Sequence, residues 1–237
     1  SRIIPSAQCM NVFEFSRYVF VAMLLQAHLF ESSPPEQNNP VRFTQRKGAL
    51  LEALSCGVDK SKKGSFDAPI ADMLSHINMN PSFVTTSSCS GRIALFAESS
   101  KEESKGRAKG GKWILCVHGS VTLDDVMDAL DNEKDCKGMV YLKSEPFILH
   151  VQCRTLEDAS AFLEAAKEAG FRESGISPGK RNTIVGVRTS SMKLDVPVMR
   201  DGQLLVPRDY LALLVDLAND KFARNRERTD ALYRVLL

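Results

Sequence analysis

The sequence predicts an α+β fold, a mixed and largely antiparallel sheet flanked by helices, in place of a doubly wound parallel one. Two observations carry this reading. β-rich runs recur as neighbouring pairs, 83–86 with 92–96 and 139–142 with 147–151, without a helix between the members of each pair. No GxGxxG follows a strand, so the fingerprint of a dinucleotide-binding doubly wound fold is missing.

The bulk numbers bound the answer. With 237 residues, 43% hydrophobic and 25% charged, the chain can bury a substantial core without disulfide or metal staples. A net charge of +2 excludes a global basic field, so any RNA contact must come from local clusters of Lys and Arg. The six cysteines form no CxxC pair and no Cys/His group with zinc-ligand spacing, so no metal is expected. Dispersed thiols suit a reducing compartment, and the cytoplasm is the expected location. The only glycosylation-like triplet, Asn80-Pro81-Ser82, is barred by its proline.

Residues 1–42 read as an N-terminal extension and linker, and 43–237 as the domain. The apolar run 18–30 has 13 residues, short of the ~20 a spanning helix needs. It fits either an extra helix or the hydrophobic stretch of an organellar or secretory leader starting at Met10, although Glu14 is foreign to leaders. Residues 31–40, rich in Ser, Pro, Glu and Asn, form the linker.

The elements then follow in order. Phe43, Leu50, Leu51 and Leu54 stand among basic residues and predict an amphipathic helix. Ser65 or Asp67 is placed to cap a second helix with an apolar face of Ile70, Met73, Leu74 and Ile77. Strands at 83–86 and 92–96 are joined by a tight small-residue connection. Residues 98–112, charged and Gly-rich, form a loop before a strand at 113–117. Thr122 caps the next helix; strands at 139–142 and 147–151 follow. Thr155 with Asp158 resembles a capping box, and Gly170 stops that helix. Strands at 182–188 and 204–206 precede a final helix from Pro207 that buries Leu211, Leu214, Leu217 and Ala218.

Four clusters stand out against their plain structural explanations. Lys60, Lys62 and Lys63 lie between Asp59 and Asp67, either a solvated capping loop or a phosphate contact beside a carboxylate. Residues 85–92 read TTSSCSGR; Ser87, Ser88, Ser90, Gly91 and Arg92 form either an ordinary hairpin turn or a polar cradle for a carboxylate or phosphate. His118 ends an apolar strand, where it either caps backbone or faces a pocket. In 145–154 (EPFILHVQCR), alternation puts Ile148, His150, Gln152 and Arg154 on one face, a solvent edge or the wall of a groove. Residues 175–180 imitate a phosphate loop, but the glycines are one residue too close and Arg181 replaces the magnesium-binding hydroxyl.

In order and content, DKSKKGS (59–65), TTSSCSGR (85–92), EPFILHVQCR (145–154), GFRESGI (170–176) and the tail from Leu194 resemble the tRNA wybutosine-synthesising protein 3 family over residues 43–237. The resemblance implies an S-adenosylmethionine-dependent enzyme that methylates N4 of the tricyclic wybutosine intermediate beside the anticodon of phenylalanine tRNA. It also implies a fold other than the common methyltransferase one, with neither DNA nor membrane as partner. On that basis Asp59, Asp67 and His118 become candidate proton acceptors. Ser87, Ser88, Ser90, Gly91 and Arg92, with Arg172, Ser174 and Gly175, become candidate cofactor residues. Lys60, Lys62, Lys63, Arg154, Lys180 and Arg181 become candidate RNA contacts. Arg92 in a polar turn is expected to matter little for stability. The rival readings are a noncatalytic RNA-binding module and a thiol enzyme built on Cys89.

Overall fold

The computed structural model describes residues 40–55, 67–98, 111–178 and 182–237. In chain order the elements begin with α1 (Pro40–Ser55), a 3₁₀ turn (Ala68–Ile70), α2 (Ala71–Met79), β1 (Phe83–Cys89), β2 (Arg92–Glu98) and β3 (Gly111–Val117). Next come α3 (Leu123–Asp131), β4 (Met139–Glu145), β5 (Ile148–Cys153), α4 (Leu156–Glu168), β6 (Gly175–Pro178) and β7 (Thr183–Val187). The chain ends with β8 (Leu194–Arg200), β9 (Gln203–Leu204) and α5 (Arg208–Leu236).

Two compact units result. A four-stranded unit takes in the described part of Ser33–Gly91 with Pro146–Met192 and Ala223–Leu237. A five-stranded unit contains Arg92–Glu145 and Lys193–Phe222.

The four-stranded sheet has the order β1-β5-β7-β6, with every neighbouring pair antiparallel. Alternation along β5 sends Leu149, Val151 and Cys153 to one face, where they meet Met73, Leu74 and Ile77 of α2 and Ala159, Phe162 and Ala166 of α4. Both helices carry these residues at three- and four-residue spacing, the stripe that an amphipathic helix buries. Full burial of a side chain such as Phe162 contributes ~1.5–3 kcal/mol. α4 starts at the capping box of Thr155 and Asp158 and is followed by Gly170 at φ +94°, both as the sequence predicts.

The five-stranded sheet runs β3-β2-β4-β8-β9, again antiparallel throughout. Ile93, Leu95, Val140, Leu142 and Val198 pack with Val126 and Leu130 of α3 and with Leu211, Leu214, Val215 and Ala218 of α5. Leu217, expected in that stripe, is 40% exposed, and Val215 takes its place. Thr122 caps α3 through a full capping box with Asp125.

The fold class agrees with the expectation, but the single sheet is two. β1 and β2 do not pair as a hairpin; the chain leaves one sheet at Ser90-Gly91 and enters the other at Arg92. The same switch recurs between β4 and β5 at Pro146. Local period fixes which residues face inward but not which strand lies alongside.

Candidate functional site

The connection after β1 is held by buried polar groups of the four-stranded unit. Asp67 precedes the 3₁₀ turn but makes no side-chain capping bond there. Its Oδ2 instead accepts from the Ser90 amide at 2.9 Å and from Ser90 Oγ at 3.0 Å. From α5, Asn225 Nδ2 donates to the Ser90 carbonyl at 2.9 Å, while its Oδ1 accepts the Phe147 amide at 2.7 Å. Ser90 is fully buried and Asn225 is 1% exposed. Gly91, at φ +94°, occupies backbone space that a side chain rarely tolerates. The expected Ser-rich turn is therefore rigidly built, and Asp67 belongs to it.

A second feature runs across the sheet. Ser87 pairs with His150, His150 with Gly186, and Gly186 with Gly175. Paired residues share a face, so one row carries a hydroxyl, an imidazole and two glycines. Ser87 Oγ lies 2.8 Å from His150 Nδ1. Burial, and then the charge of Arg188, hold the His150 pKa below its ordinary value. The imidazole therefore stays neutral at physiological pH, able to accept or donate a proton bond. A Cβ built at Gly175 meets nothing within 4 Å, whereas one at Gly186 meets the His150 ring at 3.4 Å, so the row is open at its Gly175 end. The sequence placed His150 on the polar strand face but could not show that Ser87 and the glycines share its register.

Other expected site residues fall elsewhere. Arg172 is exposed, while Ser174 is buried and its Oγ accepts the Arg188 amide at 3.2 Å. Arg154 Nη2 donates to Ser82 Oγ at 2.9 Å. In the five-stranded unit, Arg92 Nε donates to Glu145 Oε2 at 2.5 Å, and the guanidinium stacks 4.4 Å above the Trp113 ring. With its side chain 12% exposed, Arg92 is packed as well as charged, so the expectation that it matters little for stability is revised. His118 directly follows β3 and is half-buried. Asp59, Lys60, Lys62, Lys63, Lys180 and Arg181 lie outside the described residues.

Sequence reasoning missed Asn225 altogether, although an asparagine in the seven-residue register of Leu211 and Ala218 on an otherwise apolar stripe was a visible signal. Burial, and then Asp158, push the Cys153 thiol up to about 12, which makes it an inert core thiol; it is not the Cys89 of the rival thiol reading.

No described helix is long and apolar enough to cross a membrane. Comparison with known proteins adds the chemistry. The family model "Methyltransferase TYW3" matches residues 45–237. The human "tRNA wybutosine-synthesizing protein 3 homolog" is 40% identical over 179 residues, covering 75% of this chain and 67% of the relative. The "tRNA wybutosine-synthesizing protein 2/3/4" of Arabidopsis thaliana is 39% identical over 202 residues, or 79% of this chain. The match spans only 20% of that longer plant protein. Among solved structures, the PH1069 protein of Pyrococcus horikoshii superposes with a TM-score of 0.73 at 31% identity, covering 84% of this chain and 97% of that one. On the extent of the family match and the identity to the human relative, this chain belongs to the Methyltransferase TYW3 family, the methyltransferases of tRNA wybutosine synthesis.

Proposed function

We propose that this chain methylates N4 of the tricyclic wybutosine intermediate beside the anticodon of phenylalanine tRNA, in the cytoplasm, with S-adenosylmethionine as donor. The observation that carries the reading is the family match across residues 45–237. In our reading the enzyme is residues 43–237, and 1–42 are an extension to it.

The polar turn and the open end of the row fit such a donor chemically: small hydroxyls, a positive-φ glycine and the space over Gly175 suit a ribose and an amino-acid carboxylate. S-adenosylmethionine supplies the electrophilic methyl group. Ser87, Ser88, Gly91 and Arg92 would hold it, together with Arg172, Ser174 and Gly175, while Ser90, fully buried on Asp67 and Asn225, would shape the turn from behind. Because Asp67 Oδ2 is engaged by Ser90, we assign Asp67 to positioning the turn. Asp59 and His118 remain the candidates for accepting the proton that the ring nitrogen gives up. Orientation of nitrogen against methyl can contribute ~7–11 kcal/mol to such a transfer. Lys60, Lys62, Lys63, Arg154, Lys180 and Arg181 would contact the RNA.

Calorimetric titration with S-adenosylmethionine, followed by transfer of labelled methyl to phenylalanine tRNA bearing the demethylated base, tests the proposal. Saturable binding and a label on that base are expected. Binding of the tRNA without any binding of the donor would instead identify a noncatalytic RNA-binding module.

A further inference from the structure

The four-stranded unit carries a cluster of cations that no described carboxylate neutralises. Arg46 Nη1 donates to Asn182 Oδ1 at 3.2 Å, and the same oxygen accepts Gln152 Nε2 at 3.2 Å. Lys47 Nζ donates to the Asn80 carbonyl, two residues from Ser82, whose hydroxyl accepts Arg154 Nη2. The Ser82 carbonyl also accepts the Arg154 amide at 2.9 Å, and the Ser82 amide donates to Asn80 Oδ1 at 2.9 Å. Every acceptor in this set is neutral. Among the described residues no carboxylate forms an ion pair with Arg42, Arg46, Lys47 or Arg154.

The side chains are also oriented by these bonds. Phe43 is buried, which fixes the roll of α1 and brings Arg46 and Lys47 to partners on the sheet and on the turn before β1, while Arg42 stays exposed. Gln152, beneath them, is 3% exposed and its Oε1 is buried without a donor. Like charges gathered this way repel. Burial, and then Arg42, lower the pKa of Arg46; burial, and then Arg154, lower that of Lys47. An anion that bridges several of them relieves both costs.

We infer that Arg42, Arg46, Lys47 and Arg154 form a docking surface for the phosphodiester backbone of tRNA, reading charge and spacing but no base. The inference rests on the reading of tRNA as substrate, and of the four residues only Arg154 was visible as an RNA contact in the sequence. Fixed cations with neutral partners, spread from α1 to the residue after β5, suit a polyanion better than a small anion.

The experiment compares the full chain with the double variant Lys47→Gln/Arg154→Gln. tRNA affinity is measured across a salt series, and S-adenosylmethionine affinity by calorimetry. The variant is expected to bind tRNA about tenfold more weakly, with a salt slope lower by about two, one for each lost phosphate contact. Donor affinity should be unchanged. Lys47→Arg/Arg154→Lys, which keeps both charges, should retain the slope; if it loses as much as the Gln pair, the effect is structural and the inference fails. A Gln variant that melts like the parent and keeps its slope also overturns it. A parent chain that binds the donor but not tRNA overturns this surface while leaving the methyl-donor reading standing. A parent that binds tRNA through these residues yet ignores the donor leaves the surface and removes the enzyme.

Discussion

The two units share a design, an antiparallel sheet backed by helices, yet a cluster of cations in one of them is partnered differently from those of the other. In the five-stranded unit cations sit on carboxylates: Arg92 on Glu145, Lys112 on Glu133, Lys143 on Asp195 and Arg208 on Asp124. In the four-stranded unit Arg46, Lys47 and Arg154 rest on neutral oxygens, and buried amides and hydroxyls such as Asn225 and Ser90 shape the backbone. Paired surface charge contributes little to stability and leaves no net field behind. Unpaired charge held in place has a field to offer a ligand. Arg226 does sit on Asp230 in the four-stranded unit, so the open field belongs to the cluster of Arg46, Lys47 and Arg154 and not to that unit at large.

The sharpest way to break the comparison is Asn225→Leu. It takes the Asn225 bond from both the Phe147 amide and the Ser90 carbonyl, and losing a partner costs a buried polar group ~1–3 kcal/mol. A loss of about 4 kcal/mol is expected in chemical denaturation. A loss under ~1 kcal/mol would show that the neutral network does not hold the four-stranded unit together.

Arg92→Ala tests the paired side. Removing one partner leaves Glu145, 24% exposed, without its charge pair, and strips the cover from Trp113. About 2 kcal/mol of stability should go, below the ~3–5 kcal/mol typical of a fully buried pair. If Arg92 also holds the donor, affinity for S-adenosylmethionine falls roughly ten- to a hundredfold. Full stability loss with an unchanged donor constant would make Arg92 purely structural.

The next effect is smaller and depends on pH. The folded pKa of His150 lies below its unfolded value of 6.5, so the unfolded chain takes up the proton first. Stability is therefore complete above about pH 6.5 and is lost as pH falls below it, by at most ~1.4 kcal/mol per pH unit from this group. His150→Gln should flatten that slope; an identical slope would assign the acid sensitivity elsewhere. Smallest of all, a chain starting at Val41 should keep its melting temperature and its methyl transfer, since α1 starts at Pro40 and Phe43 is the residue near its start that is buried. Loss of cooperative unfolding would return the extension to the core.

What could be read in advance was local. Thr122 with Asp125 and Thr155 with Asp158 are three apart, and Gly170 stands at the end of its own helix, so their signals survive in one dimension. The core face of β5 followed from alternation alone. What escaped was decided across the chain. Asn225 meets Ser90 over 135 residues, and Ser87 shares its row with Gly175 only because β5 and β7 lie between. The hairpin expected between β1 and β2 failed for the same reason, since two adjacent runs of equal period can pair with each other or part company. Leu217 misled because an α-helix turns 100° per residue, and a stripe guessed one residue out rotates off the core.

Trp113 is the chain's sole tryptophan, 4% exposed, beneath the Arg92 guanidinium and 4.8 Å from the Phe96 ring. The chain thus has a single indole fluorophore, and it belongs to the five-stranded unit. Indole emission will report solvent reaching that sheet and the state of Arg92 above it. Within the four-stranded unit Tyr233 is the only described tyrosine, and a dye or isotope label placed there would report on it directly.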